Sequence, residues 1–511
     1  MLNKDSIIWA IDYLHKHSDG DLFPKILEFA ALSDKADLLA DKLCAAELSQ
    51  LDIGGHRRFI IPKDEMSYRQ ATQLDIQDSI ILSSIIYQYG SLIENRRLPT
   101  DIVFSYRFSP DVDYGLYAER NMWNVFWQTA YRKSRPNKIV LYCDIADFYN
   151  QLYHHTIENQ LIESGLPNQA TKWIIKLLES TTAGVSRGIP VGPHPMHLIA
   201  EASMIPIDNS LQVQGYDFIR YVDDIIVFCD NEVEAKLVLS QIATTLDKQQ
   251  RLMLQRHKTK IYDANEFATI CTNMIEDRPI SEQEDRVLKL INKYSKGNPY
   301  RIVFYNEISK EDWNSISSEI ISNIITDYLS QPTIQFDKLR WFYRRLTQIG
   351  HPGAIDISLS NIDKLIPCFA NVCLYLGSAQ NIPADKWVYV GEQLLKLLQH
   401  EMVKGNEYFR LLILSLFTKN QHINHFPSLV RDYPVMESFI KREIILSAKQ
   451  NKAVDWLREQ KENYSGMESW QQMAYLFSIA NLPIDEKKYF INRFTYSRFV
   501  MQVLSKWAKE Q

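Results

Sequence analysis

The sequence has no CxxC spacing, no apolar run long enough to cross a bilayer, and no excess of positive charge. Each absence removes a class of function. Cys44, Cys143, Cys229, Cys271, Cys368 and Cys373 are scattered, several among apolar neighbours, which points to reduced, mostly buried thiols rather than a disulfide framework or a zinc knuckle. Without about 20 consecutive apolar residues there is no helical membrane span. The opening Met1-Leu2-Asn3-Lys4-Asp5 lacks a signal-peptide pattern, so the expectation is a cytoplasmic protein with no membrane partner. The 57 basic and 62 acidic residues leave a net charge of −5, so any path for a polyanion has to be local. What is present is ample: 511 residues, 46% of them hydrophobic, give room for two to four domains with sizeable cores.

The chain is organised around Gly215-Tyr216-Asp217-Phe218-Ile219-Arg220-Tyr221-Val222-Asp223-Asp224-Ile225-Ile226-Val227-Phe228-Cys229. Apolar runs flank two adjacent carboxylates, the pattern of a β-hairpin with Asp223 and Asp224 at its tight turn. Two acids there repel each other unless a cation neutralises them, which suits a divalent metal site for phosphoryl transfer. Upstream, Ile139-Val140-Leu141-Tyr142-Cys143-Asp144-Ile145-Ala146-Asp147-Phe148-Tyr149 reads as a buried strand that ends on a carboxylate and passes into a helix. Pairing Asp144 with Asp223 across adjacent strands would make a cradle for two divalent ions, with the Ile145 carbonyl as a further oxygen ligand. In such a site one ion activates the attacking hydroxyl and the other stabilises the leaving pyrophosphate, the metals about 3.5–4 Å apart. The expected cofactor is magnesium, two ions, with manganese as a substitute.

Between these strands lies Ser186-Arg187-Gly188-Ile189-Pro190-Val191-Gly192-Pro193-His194-Pro195-Met196-His197, a glycine- and proline-punctuated loop entering a helix. Gly188 and Gly192 permit close approach of a nucleotide to the backbone. His194 and His197 have metal-ligand spacing, but no further His or Cys completes a site, so they read as hydrogen-bonding histidines. Downstream, Lys258 in the basic segment 252–260 reads either as the acid that protonates a departing pyrophosphate or as a solvent-facing lysine. Arg57, Arg58, Lys63 and Arg69 put four cations within thirteen residues, which by themselves read as a solvated loop and are also enough to hold a triphosphate. A second basic cluster, 132–138, precedes the Asp144 strand and reads either as a phosphate-steering patch or as a solvated loop.

In this order the pieces resemble the palm and fingers of reverse transcriptases: Asp144-Ile145-Ala146-Asp147-Phe148-Tyr149 is like motif A, the glycine-proline loop like motif B, Tyr221-Val222-Asp223-Asp224 like the YxDD of motif C, and 252–259 like motif D. The resemblance spans about residues 50–270. It implies that Asp144, Asp223 and Asp224 bind the metals, that Lys63 and Arg69 meet the triphosphate, and that Tyr149 is the steric gate that selects deoxynucleotides. Gly188, Ile189, Pro190, Val191 and Gly192 depart from the family pattern at one position, because valine stands where a glutamine is usual. Valine cannot hydrogen-bond, which puts templated pairing in doubt.

From about residue 280 the sequence reads as successive amphipathic helices (284–294, 316–328, 338–349, 387–398, 408–417, 439–449 and 470–479), with no clear thumb after Thr259 and no clean repeat of 40–47 residues. The expected fold is therefore an α+β palm and fingers with N-terminal helices over 1–275, followed over 276–511 by an all-α HEAT-like helical-repeat domain and no conventional thumb. A palm with an altered motif B and a helical second half resembles the Abi (abortive infection) polymerases of bacterial anti-phage defence, most closely the type carried by P2-like prophages. That resemblance implies a nucleotidyltransferase that adds dNTPs to a hydroxyl of the protein itself, without a template, leaving single-stranded DNA covalently attached. It also implies a homo-oligomer, a trimer or hexamer. The alternative is an RNA-templated reverse transcriptase using an associated RNA. Tyr13 is the candidate primer hydroxyl, with Tyr294 and Tyr300 behind it. In the helical half, 338–345 interleaves cations with aromatics, either a surface for stacked bases or a helix with buried rings.

Overall fold

The computed structural model describes residues 2–511 except 21, 64–65, 114, 118–120, 136–137, 297–300, 421, 424 and 432. Its contacts divide into two units. The first holds Met1–Arg58, Ala71–Glu276 and Tyr496–Trp507; the second holds Phe59–Gln70, Asp277–Thr495 and Ala508–Gln511. Two stretches therefore depart from the expected contiguous division at 275/276. Residues 59–70 group with the helical half, and residues 496–507 return to the first unit.

The first unit is built on a four-stranded antiparallel sheet. A hairpin precedes it in the chain, β1 (Arg57–Pro62) with β2 (Tyr68–Gln73). The sheet strands are β3 (Ile139–Asp144), β4 (Phe218–Tyr221), β5 (Asp224–Cys229) and β6 (Lys260–Tyr262), in the spatial order β4-β5-β3-β6. Their β-branched and aromatic content suits a pleated surface packed on both faces. The register pairs Val140 with Phe228, Tyr142 with Ile226 and Asp144 with Asp224, so these residues share one face. On that face Val140, Ile219, Ile226 and Phe228 pack with Phe126, Trp127 and Ala130 of helix Met122–Ser134 and with Phe267 and Cys271 of helix Ala264–Ile275. The strand apolar residues therefore form the core, and the carboxylates sit where two of the strands end.

The apolar run after Asp75 forms the helix Ile76–Glu94, capped by the Asp75 side chain accepting from the Gln77 amide. The segment 496–507 is pinned to the same place. Arg498 pairs with Asp75 and with Asp78, the Val500 amide donates to the Gln77 side chain at 3.3 Å, and Trp507 Nε1 donates to Asp34 at 2.9 Å.

Nearby, Asp19 is buried, with one oxygen accepting from the Ser79 hydroxyl at 3.0 Å and the other without a partner. Burial pushes its carboxyl up to about 7. An acid whose folded pKa is raised holds its proton more tightly when folded. Its full contribution to stability is present below the unfolded value of about 3.9 and is lost as pH rises through about 7. Asp78, raised to about 7 by burial and by Asp75, acts in the same direction. Stability is thus expected to fall by on the order of a few kcal/mol between pH 5 and pH 8. Asp19→Asn should flatten that slope, with a gain in hydrogen-exchange protection over wild type in the helix Ile76–Glu94 that is larger at pH 8 than at pH 5; an unchanged slope would contradict it.

In the second unit six helices follow one another as neighbours: Glu282–Ser295, Phe336–Ile349, Phe369–Ser378, Glu407–Lys419, Ser438–Gln450 and Ser469–Ser478, each packed on the next. Their starts are unevenly spaced along the chain. The helix Phe336–Ile349 corrects the base-stacking reading of 338–345. Phe342 and Tyr343 are fully buried, and so is Arg345, which donates to Gln348 and Asn292. Trp341 Nε1 donates to Asp277 at 2.5 Å. The rings are core, not a platform. No described helix is long and apolar enough to cross a membrane, and the six cysteines are free thiols, five of them buried.

Candidate active site

The end of β3 and the β4–β5 turn bring the motif carboxylates together. Asp144 and Asp224 are Cα partners in the sheet, and the Ile145 amide donates to the Asp223 carbonyl at 3.1 Å. On the other side of Asp144, the Gln255 amide donates to its carbonyl at 2.7 Å and the Ala146 amide to the Met253 carbonyl at 2.8 Å. Residues 253–255 thus extend the sheet and bring Lys258 back to the site, where its Nζ donates to Asp144 Oδ2 at 2.6 Å. The Tyr142 hydroxyl donates to Asp224 Oδ1 at 2.5 Å.

The electrostatics show how close the charges are. Burial, then the charge of Asp223, pushes the Asp224 carboxyl up to about 7, with Asp144 adding to it and Tyr142 and Lys258 opposing it. Burial works against the Lys258 ammonium, but its bond to Asp144 and the charges of Asp223 and Asp224 outweigh that and raise it. Four groups therefore share one field, with a lysine as the only cation among them.

Among the described residues no three His, Cys, Asp or Glu side chains stand arranged around one metal position. Lys258 and Tyr142 hold the Asp144 and Asp224 oxygens that would turn to such an ion. The donor set nevertheless fits a hard divalent cation. It consists of carboxylates, with the Ile145 carbonyl accepting no backbone hydrogen bond among the described residues. The neighbouring Cys143 thiol is buried and pushed up to about 12, so it offers no competing soft ligand.

The glycine loop is held from three sides. The Gly188 amide (φ +94°) donates to the Leu152 carbonyl at 2.8 Å, and the Gly188 carbonyl accepts from His154 Nε2 at 2.8 Å. The Ile189 amide donates to the Tyr149 carbonyl at 2.9 Å, and the Thr72 amide to the Val191 carbonyl at 2.8 Å. Gly192 has φ +131°, and a Cβ there would lie 2.8 Å from the Thr72 carbonyl oxygen. Pro190 stands between Ile189 and Val191, whose backbones are both hydrogen-bonded.

Tyr149 lies in the short helix Phe148–Gln151 that follows Asp144, and its hydroxyl shares a 2.6 Å hydrogen bond with His197 Nδ1. The His197 ring stacks on Tyr106 with centroids 3.9 Å apart and planes within 2°. Both motif histidines are thus hydrogen-bonded side chains, His194 with Tyr13 and His197 with Tyr149.

Tyr13 does not serve as an accessible primer. It is fully buried, stacked on Trp9 at 5.0 Å, and its hydroxyl shares a 3.1 Å bond with His194 Nδ1. Tyr294 donates to Asp312 at 2.5 Å in the second unit, and Tyr300 lies outside the described residues. Of the four early cations, Arg57 is buried against Gln73, while Arg58, Lys63 and Arg69 are exposed; Lys63 and Arg69 fall in the hairpin stretch that groups with the second unit. In the 132–138 cluster Lys133 pairs with Asp217 and Lys138 with Asp230, while Arg132 and Arg135 bond the neutral hydroxyls of Thr129 and Tyr131.

The sequence reading missed the buried ion network behind the turn. Arg220 Nε and Nη2 bond both oxygens of Asp208 at 2.7 and 2.6 Å, and Nη2 reaches Glu201 at 2.8 Å. Arg97 pairs with the same Glu201 at 2.8 Å and with Glu94 at 2.9 Å, and Arg107 also pairs with Glu94. A signal existed: Arg220 interrupts the apolar strand Phe218-Ile219, and Glu201 and Asp208 lie seven residues apart on one face of a helix that is otherwise apolar.

Residues 61–279 match the family described as reverse transcriptase (RNA-dependent DNA polymerase), and over this stretch the chain is reverse-transcriptase-like. The match covers Asp144, Asp223, Asp224, Lys258 and the glycine loop. A solved structure of telomerase from Candida albicans, in complex with a fragment of telomeric RNA, shares 10% identity over 74% of this chain and 68% of that one, with a TM-score of 0.31, too low to support any inference. No curated protein matches the sequence.

Proposed function

We propose that this chain is a DNA nucleotidyltransferase of the reverse transcriptase type that adds deoxynucleotides to a hydroxyl of the protein itself, without copying a template, and acts in abortive-infection defence against phage. The observation that carries the polymerase reading is the strand pairing that sets Asp144 opposite Asp224 and beside Asp223, with Lys258 on Asp144. Asp144, Asp223, Asp224 and the Ile145 carbonyl would hold magnesium, which when bound activates the attacking hydroxyl and neutralises phosphate charge. Tyr149, fixed by His197, would lie under the sugar and collide with a 2′-hydroxyl. The hydroxyl would give up its proton to solvent as its oxygen bonds the α-phosphorus and the bond to pyrophosphate breaks, and Lys258 would give the leaving group a proton.

The template-independent part of the reading is supported by Val191. Its carbonyl is taken by Thr72, and its side chain has no donor or acceptor with which to align a templated pair. The helices that follow the palm motifs in the chain from Glu282 onward, where a thumb sequence would come, support it further. The reading carries with it a covalent single-stranded DNA product and a homo-oligomer, a trimer or hexamer.

The test is incubation of purified full-length protein with magnesium and labelled dNTPs and no added nucleic acid. The expected result is a ladder of increased mass that survives denaturation and disappears with DNase. Unshifted protein that extends only a supplied primer on its template would overturn the template-independent reading. Product complementary to one co-purified RNA would establish the RNA-templated alternative.

A further inference from the structure

We infer that Ser105 and the buried ion network around it couple the geometry of the carboxylate turn to that of the sugar-contacting tyrosine, so that one device positions both halves of the site. The inference rests on the reading of Asp144, Asp223 and Asp224 as metal ligands and of Tyr149 as the sugar gate.

Two residues at this place have backbones that their side chains disfavour. Val222, between Tyr221 and the two aspartates, has φ +55°, and Tyr106 has φ +44°. A left-handed conformation in a β-branched or aromatic residue persists only where the surroundings impose it. Both are held in the same way, by a buried arginine on the carbonyl. Arg220 Nη1 donates to the Val222 carbonyl at 2.8 Å, and Arg97 Nη1 donates to the Tyr106 carbonyl at 2.9 Å. Both arginine side chains are fully buried.

Ser105 joins the two. Its hydroxyl accepts from the Val222 amide at 2.9 Å and donates to Glu201 Oε1 at 2.6 Å, while its carbonyl accepts from Arg97 Nη2 at 2.6 Å. Glu201 in turn binds both Arg97 and Arg220. The next residue, Tyr106, presents the ring on which His197 stacks, and His197 holds the Tyr149 hydroxyl. The backbone adds a second tie, since the Phe104 amide donates to the Arg220 carbonyl at 3.0 Å and the Arg220 amide to the Ile102 carbonyl at 2.8 Å. A shift of the segment 102–106 therefore moves the Val222 turn at one end and the Tyr149 support at the other. Arg97, Arg107 and Arg220 face Glu94, Glu201 and Asp208, so the network is balanced in charge, and Ser105 is the hydroxyl that ties it to the Val222 amide.

Ser105, Tyr106, Arg97 and Arg220 are positioning residues; none is assigned a contact with substrate. The test measures Mn2+ affinity by calorimetry, the ratio of deoxy- to ribonucleoside triphosphate affinity in Mn2+, and hydrogen exchange at 218–226, in wild type, Ser105→Ala, Ser105→Thr and Tyr106→Leu. Ser105→Ala is expected to weaken Mn2+ binding about 10-fold, to lower the sugar preference, and to speed exchange of the turn. Ser105→Thr, which keeps the hydroxyl, should restore all three. Tyr106→Leu should lower the sugar preference alone. Should Ser105→Ala fail to fold, Ser105→Cys takes its place with the same expectations. Wild-type Mn2+ affinity and sugar preference in the serine variant would overturn the inference, and so would weakened Mn2+ binding with an intact sugar preference. None of these readouts requires DNA synthesis, so a wild type that binds Mn2+ and nucleotide but polymerises nothing defeats the proposed function while leaving the coupling to be decided by the variants.

Discussion

Asp144→Asn and Asp223→Asn should each reduce dNTP incorporation by about 10³-fold or more, corresponding to ~4 kcal/mol of barrier, with the fold intact. Asparagine keeps the shape of the side chain and removes the charge that binds a hard cation. The three acids are not equivalent, however. Asp224 is half-buried and hydrogen-bonded by Tyr142, and burial with the charge of Asp223 raises its carboxyl to about 7. It therefore gives up less by losing its charge when no cation is present. Asp224→Asn is therefore expected to lose less, about 10- to 100-fold, and to leave the metal-free protein as stable as wild type or more so. Incorporation of labelled dNTPs, with thermal unfolding recorded with and without magnesium, checks both statements. Undiminished synthesis by Asp144→Asn would remove the polymerase reading altogether.

Arg220→Leu is the second large effect, and it falls on stability. The substitution leaves Asp208 with no described arginine partner and Glu201 with Arg97 alone, both fully buried. Breaking one side of such a pair costs about 3–5 kcal/mol, because the remaining charge cannot return to water. Arg220→Lys should recover only part of this, since an ammonium cannot span Asp208, Glu201 and the Val222 carbonyl as the guanidinium fork does. Because the chain has two units, a single unfolding midpoint is not the right readout. Hydrogen exchange at β4 and β5 is, and a loss of protection worth less than about 1 kcal/mol would contradict the account. The same variant releases Val222 from its left-handed conformation, which stores about 1–3 kcal/mol, so activity should fall further than stability alone explains.

The palm was legible for a definite reason. A buried strand shows as a short continuous apolar run, and a carboxylate that ends such a run stands out against it, as Asp144 does after Ile139-Val140-Leu141-Tyr142-Cys143 and Asp223-Asp224 do between Tyr221-Val222 and Ile225-Ile226. Glycines at 188 and 192 stand out likewise because few other residues adopt their positive φ. The helix Phe336–Ile349 was legible in position but not in meaning, since alternating rings and cations look the same whether the rings face bases or a core. Tyr13 was misjudged because a hydroxyl in sequence carries no information about its burial.

Local chemistry alone thus set the strands, the order of the motifs and the identity of the acids, because these depend on neighbours within a few residues. Only the folded chain decided that Ser105 meets Val222 across 117 positions, that Lys258 returns to Asp144 across 114, and that Arg498 closes on Asp75 across 423. Those meetings are set by the sheet register and by helices packed on its face. A charge buried by that packing can be tolerated only beside its partner, wherever in the chain the partner lies.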